Sequence, residues 1–480
     1  MDTEATLYAL LSARLTQAIK SGTLRTGERL PSVRAMARQE HVSVSTVLAA
    51  YLQLENAGLV ETRPQSGHYV KAQLRVAREP QCVRPAFTPT TVKISALVTR
   101  MYSAAGDPAL VPLGAAVPHP SLLPTRQLHA LLARATRLKP EATVQYLMPP
   151  GLLLLRQQIA RRALAYGCSL SPADIIITHG ASEAMHLSLM ATSRRGDTIA
   201  VESPAYYGTL QAIEALGLKA LEIPAQPRTG MDLDALEEAL AATPVSAVLV
   251  VPNFSNPLGS SMPDANKKRL VELLARRDIP LIEDDIYGDL AFNGSRPRVC
   301  RSFDDHGRVL LCSSFSKTLA PGYRVGWVAP GRYRGQVELL KFAQSVGCGS
   351  APQYAVAEFL QSGGYDRHLR GLRRHVQQSM EQMVSVVTAC FPEGTAVSRP
   401  EGGFVLWVEM PRSVDALALH SAAFNAGIIV TPGPLFSARD RFKHCIRLNC
   451  ASPWTPKVEA AVRTLGHLAC QQAGRQPLSH

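Results

Sequence analysis

At 480 residues the chain is too long for one ordinary domain of roughly 150 residues, so more than one functional unit is expected. Its 46% apolar and 19% charged residues supply a sizeable core and exclude disordered, collagen-like and low-complexity classes. The formal charge of +13 bears on partners rather than fold and favours nucleic acid or anionic small molecules.

The opening MDTEATLY is acidic and lacks a basic region ahead of an apolar stretch, so no secretory signal is expected. Leu7, Leu10, Leu11, Leu15, Ala18 and Ile19 then recur at three- and four-residue steps until Ser21 and Gly22, which predicts an amphipathic helix. Ser32 is placed to cap a short helix over 33–40 that turns Met36 and Ala37 inward. Ser43 is placed to cap a longer one over 44–56, with Val47, Ala50, Tyr51 and Leu54 on one face and Gly58 as its C-terminal cap. Residues 59–62 and 68–70 are β-prone runs joined by a turn ending in Gly67, which reads as a hairpin. A hairpin after a helix-turn-helix is a wing. In such units the third helix enters the DNA major groove, which makes Ser43, Val44, Ser45 and Thr46 the candidate base-reading residues, with Gly67 and His68 on the wing. A three-helix interaction module without DNA is the competing reading.

This pattern, with Gly27, Leu30, Pro31, Ser32, Arg34, Val42, Ser43, Thr46, Tyr51 and Leu59 in register, resembles the GntR family of bacterial winged-helix regulators. The resemblance implies that Arg29 and Arg34 contact phosphate or base, with Ser32 beside them in the DNA-binding set, and that the partner is promoter or operator duplex. Many relatives carry Arg where this chain has Val44, so their operator does not transfer.

Over residues 71–93 periodicity vanishes and Pro80, Pro85 and Pro89 punctuate the chain, which reads as a semi-rigid linker. Farther on, apolar runs at 247–251, 279–282 and 309–311 each lead at once into polar residues. Continuous apolar strands alternating with helical patterns imply an α/β fold with a mostly parallel sheet covered on both faces, and such sheets bind ligands at the carboxyl ends of their strands. Asn256, Asp284, Tyr287 and Lys317 should converge on that edge. A lysine to form a Schiff base, an aspartate to pair with a protonated ring nitrogen, and hydrogen-bonders for a phenolic oxygen point to pyridoxal 5'-phosphate. A strand at 174–177 followed by a helical pattern at 183–191 places the backbone N–H groups of Ala181 and Ser182 at a helix start, suited to the phosphate, and Arg324 can add a fixed cation. Glu183 reads as a helix-start residue without a cofactor role.

These segments closely resemble fold-type I aminotransferases of class I/II, which carry a large domain and a small C-terminal α+β lobe. The resemblance makes Lys317 the Schiff-base lysine, Asp284 the ring-nitrogen partner, Asn256 and Tyr287 the ring-oxygen partners, and Tyr206 the stacking aromatic. It assigns Ala181, Ser182, Ser314, Ser316 and Arg324 to the phosphate cup. It also assigns Tyr146 to the phosphate of a neighbouring subunit, hence a homodimer, and Arg447 to a substrate α-carboxylate. An arginine on a strand can equally be a structural ion-pair member. A winged helix ahead of such a fold resembles the MocR subfamily of GntR regulators. The expected organisation is a winged head over 1–72, a linker over 73–95 and an aminotransferase-like unit over 96–480. The expected function is a regulator sensing an amino compound; a working aminotransferase with an appended head is the alternative. No apolar run approaches the ~18 residues of a membrane span. Nine scattered cysteines without a Cys-x-x-Cys pair suggest neither zinc nor disulfides, so a cytoplasmic protein without metal is expected.

Overall fold

The computed structural model describes residues 7–20, 23–24, 28–56, 59–63, 67–70, 78–82, 84, 86–102 and 109–474. Ser21, Gly22, Gly27, Gly58, the wing turn at 64–66 and the start of the expected linker at 71–77 lie outside them. The chain divides into two compact units, Met1–Ala77 and Arg78–His480.

The first unit contains α1 (Leu7–Lys20), α2 (Val33–Gln39), α3 (Val44–Asn56), β1 (Val60–Arg63) and β2 (Gly67–Val70). Leu11, Leu15, Ile19, Leu30, Met36, Val47, Tyr51, Leu54, Val60 and Val70 close one core. Helices α2 and α3 start as their residue types dictate. Ser32 Oγ accepts from Ala35 N at 3.2 Å, and Ser43 Oγ accepts from Thr46 N at 3.1 Å. β1 and β2 pair antiparallel, and Leu30 N and Val70 N bond across to His68 O and Glu28 O, so residues 28–30 extend the wing by a third short segment.

The second unit begins earlier than the sequence suggested. The linker expected over 73–95 is corrected: from Arg78 the chain lies along the large unit. The Arg78 carbonyl accepts from Val397 N at 2.9 Å, Glu79 takes Arg228 Nε at 2.9 Å, and Pro80 and Val92 are buried. The segment makes these contacts singly rather than along one repeating face, so periodicity could not reveal it.

In chain order the strands of this unit are β3 (Thr90–Thr91), β4 (Val111–Pro112), β5 (Ile176–His179), β6 (Thr198–Ser203), β7 (Lys219–Gln226), β8 (Gly230–Met231), β9 (Ala247–Val250), β10 (Leu281–Asp284), β11 (Val309–Ser314), β12 (Val325–Ala329), β13 (Ala396–Val397), β14 (Val405–Glu409), β15 (Ile428–Ile429), β16 (Thr431–Pro432) and β17 (Cys445–Asn449). Among the described residues the main sheet has nine strands, in the order β3-β7-β6-β9-β10-β11-β12-β5 with β8 on β7. The run from β7 to β11 is parallel, whereas β12 is antiparallel to both its neighbours. Successive side chains of one strand point to opposite faces. Ile199, Val201, Ala247 and Leu249 therefore join one core with the helices Gly180–Thr192 and Tyr207–Ala215. Ala200, Val248 and Val250 join the other with Leu233–Ala242 and Asp264–Ala275. The strand expected over 174–177 forms over Ile176–His179 behind a 3-10 turn at Pro172–Asp174. The small lobe contains the antiparallel sheet β13-β14-β17-β16, with Ala416–Asn425 against β16, and the long helix Gly364–Cys390 packed on Pro456–Gln472. Among the described residues no helix is long and apolar enough to cross a membrane.

Candidate functional site

Five separate strand ends deliver side chains to one pocket at the edge of the main sheet. It is lined by Ala181, Ser182, Met185, Tyr206, Val251, Asn256, Asp284, Ile286, Tyr287, Ser314, Ser316, Lys317 and Arg324. Parallel strands make this possible, because their carboxyl ends open on the same edge.

Beyond β5 the helix Gly180–Thr192 begins, and Ala181 and Ser182 of its first turn, where helix N–H groups have no intrahelical acceptor, line the pocket. Gly180 is required there: at φ +74°, a Cβ would come within 2.5 Å of the Arg324 guanidinium. Arg324, itself left-handed at φ 52°, donates to the His179 carbonyl at 2.9 Å and lies 3.4 Å from Ser316 Oγ. Ser316 N bonds Ser314 Oγ at 3.2 Å. Amides, hydroxyls and one guanidinium thus form a cradle for an anion.

The other end is different in character. Asp284 closes β10, and its Oδ1 is buried without a hydrogen-bond partner. Burial, reinforced by the charge of Asp285, pushes its carboxyl up to about 7. Lys317 Nζ donates to the Ala116 carbonyl at 2.6 Å, and burial, helped by Arg447, brings its amine down to about 8. Asn256 Nδ2 and the Tyr287 hydroxyl lie 3.4 Å apart, with the Tyr287 hydroxyl raised above its ordinary value by burial. Tyr206 contributes an aromatic wall at the start of Tyr207–Ala215.

Two further candidates stand elsewhere. Arg447, on β17, is fully buried outside the pocket lining; it donates to Asn256 Oδ1 at 3.0 Å, to Thr431 Oγ1 at 3.2 Å and to the Gly114 carbonyl. Tyr146 is 78% exposed and does not reach the pocket of its own chain. Sequence reasoning missed Met185, Val251 and Ile286, which are ordinary apolar residues, and the carbonyls of Ala116 and Gly114, which have no side-chain signature. It also understated Glu183. That carboxylate meets the buried Lys341 ammonium at 2.8 Å, and Lys341 Nζ lies 3.3 Å from His179 Nδ1 and 3.1 Å from Cys348 Sγ. A fixed ammonium therefore stands among three side chains that could otherwise ligate an ion.

In the head, Arg29, Ser32, Arg34, Ser43, Val44 and Ser45 are exposed, and Thr46 is half-buried. Ser43 Oγ lies 2.8 Å from Ser45 Oγ and 2.7 Å from Thr46 Oγ1, so the hydroxyls at the start of α3 form one cluster. Val44, Leu48 and Leu52 give α3 an exposed apolar stripe in place of a basic one. The Arg29 side chain runs past Gly67, whose φ of +111° suits glycine, while His68 packs edge-on against Tyr51 at 4.8 Å and bonds Thr62 Oγ1 at 3.0 Å.

Family models match both units: aminotransferase class I and II over residues 120–465, and bacterial regulatory proteins of the gntR family over 7–70. The uncharacterized HTH-type transcriptional regulator YjiR of Escherichia coli is 40% identical over 96% of this chain and 98% of its own length. Among solved structures, the multiple substrate aminotransferase of Thermococcus profundus superposes with a TM-score of 0.74 at 26% identity, over 79% of this chain and 96% of its own. LysN, the alpha-aminoadipate aminotransferase of Thermus thermophilus complexed with N-(5'-phosphopyridoxyl)-L-leucine, gives 0.73 at 26% identity, over 80% and 96%.

Proposed function

The chain belongs to the class I and II aminotransferase family and carries a gntR-family head, the arrangement of the MocR regulators, and from that premise we propose that its large unit holds pyridoxal phosphate and responds to an amino-acid-like compound. By family it is a DNA-binding transcriptional regulator. The observation that carries the cofactor reading is the buried, partnerless Asp284 Oδ1 in the same pocket as Lys317 and an anion cradle. An unpaired buried acceptor costs about 1–3 kcal/mol unless a donor arrives, and a protonated ring nitrogen is such a donor.

Pyridoxal phosphate supplies an aldehyde that an amine can capture and a ring that withdraws electrons from a bound amino compound. Lys317 offers the amine, and its lowered proton affinity leaves a usable neutral fraction near pH 7. Asp284 accepts the ring N–H and is drawn back to the carboxylate form by that positive charge. Asn256 and Tyr287 donate to the ring oxygen, and Tyr206 covers a ring face. The amides of Ala181 and Ser182, the hydroxyls of Ser314 and Ser316, and Arg324 hold the phosphate. Arg447 binds the carboxylate of the amino compound by exchanging its bonds to Thr431 and Gly114. Its bond to Asn256 means that such a carboxylate is sensed at the ring-oxygen partner too. The exposed Tyr146 suits a reach into a second copy, which makes the pocket a shared one and the regulator a homodimer. Arg29, Arg34 and the start of α3 contact the operator, with Val44 suited to a thymine methyl.

Purified protein supplied with pyridoxal phosphate should turn yellow, and Lys317→Ala should abolish the band; a colourless wild type overturns the reading. Arg34→Ala should weaken promoter binding and reduce its salt slope by about one. The completeness of the set Lys317, Asp284 and Arg447 favours a second reading, a working aminotransferase. Multiple-turnover keto-acid formation across amino donors, beside promoter binding with and without those donors, separates the two: turnover without any promoter site makes the enzyme primary.

A further inference from the structure

A clamp that none of the motifs announces lies behind Lys317. The next residue, Thr318, is 2% exposed. Its hydroxyl lies 2.9 Å from the Tyr365 hydroxyl, and its carbonyl accepts from His368 Nε2 at 2.6 Å. Tyr365 also donates to Asp289 Oδ2 at 2.7 Å. A phenol has one proton, so the Tyr365 hydroxyl shares it between two acceptors, the Thr318 hydroxyl oxygen and the Asp289 carboxylate. Burial lowers the proton affinity of His368, so its ring is neutral, and the contact with the Thr318 carbonyl assigns its proton to Nε2. The Tyr365 ring is pinned in turn, edge-on to Phe315 at 5.9 Å and under the Arg162 guanidinium at 4.2 Å. Both clamp residues belong to the helix Gly364–Cys390, whose 27 residues span about 40 Å. Its far half belongs to the small lobe, where Ser379 donates to the Ser452 carbonyl at 3.1 Å and Met380 and Met383 are buried.

We propose that Tyr365 and His368 are positioning residues for Lys317. By holding both the hydroxyl and the carbonyl of Thr318, they fix the turn from which the lysine amine enters the pocket, and they tie that turn to the helix that runs into the small lobe. This rests on Lys317 being the residue that takes the cofactor. A lysine side chain has about 2 kcal/mol of rotamer freedom, so its amine keeps the Ala116 carbonyl in reach only while the backbone it departs from, held at Thr318, stays in place. Once the anchor is released, the amine samples more polar surroundings and protonates more easily.

The test uses the full-length chain without cofactor. Competitive acetylation across pH, read by mass spectrometry on the Lys317 peptide, should give a wild-type midpoint near the value of about 8 that burial imposes. Tyr365→Phe and Thr318→Val should each raise that midpoint by about half a unit or more. The double variant should do no more than the larger single, because both remove the same bond. Thr318→Ser, which keeps the hydroxyl, should behave as wild type. With cofactor added, borohydride-fixed adduct on Lys317 should accumulate about tenfold more slowly in Tyr365→Phe. Unchanged midpoints in both single variants, or additive shifts in the double, overturn the proposal. If Tyr365→Phe fails to fold, the Thr318→Val and Thr318→Ser pair decides alone. A wild-type chain that fixes no cofactor on Lys317 defeats the functional reading, while the acetylation series still reports whether the clamp sets the lysine.

Discussion

The pocket and the buried network behind it each hold an aspartate, and the two have opposite characters. Asp284, in the pocket, has an oxygen without a partner, and burial with the nearby Asp285 charge raises its carboxyl to about 7. Asp289, behind the pocket, meets the same burial, but the Arg296 and Arg162 guanidinium groups and the Tyr365 hydroxyl overcome it and hold the carboxyl down at about 2. Arg296 Nε sits 2.6 Å from Asp289, and its other end grips Asp285. Taking a partner from a paired buried charge is strongly destabilising, whereas a buried carboxyl with an open oxygen shifts towards its neutral form, as Glu202 does away from the pocket and Asp284 does inside it.

The contrast is broken most sharply by removing one charge at a time. Asp289→Asn leaves Arg296 and Arg162 short of a partner and should cost about 3 kcal/mol in the denaturation midpoint of the large unit, the lower end for a buried pair because the Asp289 side chain is 17% exposed. Asp284→Asn should leave that midpoint unchanged or raised and instead weaken pyridoxal phosphate by about 2 kcal/mol, some thirtyfold in Kd by equilibrium titration. Equal loss of stability in both variants would erase the distinction.

Acid and neutral pH should separate the two residues again. The folded-state value of Asp289 lies below its unfolded value, so its stabilisation is present above about pH 4 and is lost as pH falls towards 2. Asp284 is raised, so its contribution is complete below about pH 4 and is lost as pH rises through about 7. Cofactor-free protein should therefore gain stability between pH 7.5 and 5.5, as should any share from Glu283 and Glu202, which burial also raises to about 7. Asp284→Asn should flatten that slope; an unchanged slope places the effect in the glutamates. The smallest effect belongs to the head, where Ser32→Ala removes a single cap and should cost about 1 kcal/mol, measured as a lower melting midpoint of the first unit with cofactor affinity untouched.

Much of the pocket was legible because its residues sit in short contiguous motifs at strand ends, where a continuous apolar run announces both the strand and the point at which it stops. Lys317, Asp284 and Asn256 needed only that rule and their chemistry. Arg296, Tyr365 and His368 lie in segments whose composition resembles any surface or helix, and only burial against Asp289 and Thr318 makes them distinctive. The linker was overextended for the same reason: Glu79 and Pro80 make isolated contacts that leave no periodic trace.

The sequence by itself determined the local events: where helices start at Ser32 and Ser43, where the wing forms, which strands are apolar throughout, and in which order the chemical groups follow. These depend on neighbours within a few residues, so composition and spacing carry them. Tertiary structure alone decided that Arg447 is engaged with Asn256, that Tyr146 is exposed outside the lining of its own chain's pocket, and that two aspartates so close in sequence are shifted in opposite directions. Desolvation and Coulomb energy depend on what lies within a few ångströms in space, and in a sheet of crossing connections those neighbours come from distant parts of the chain.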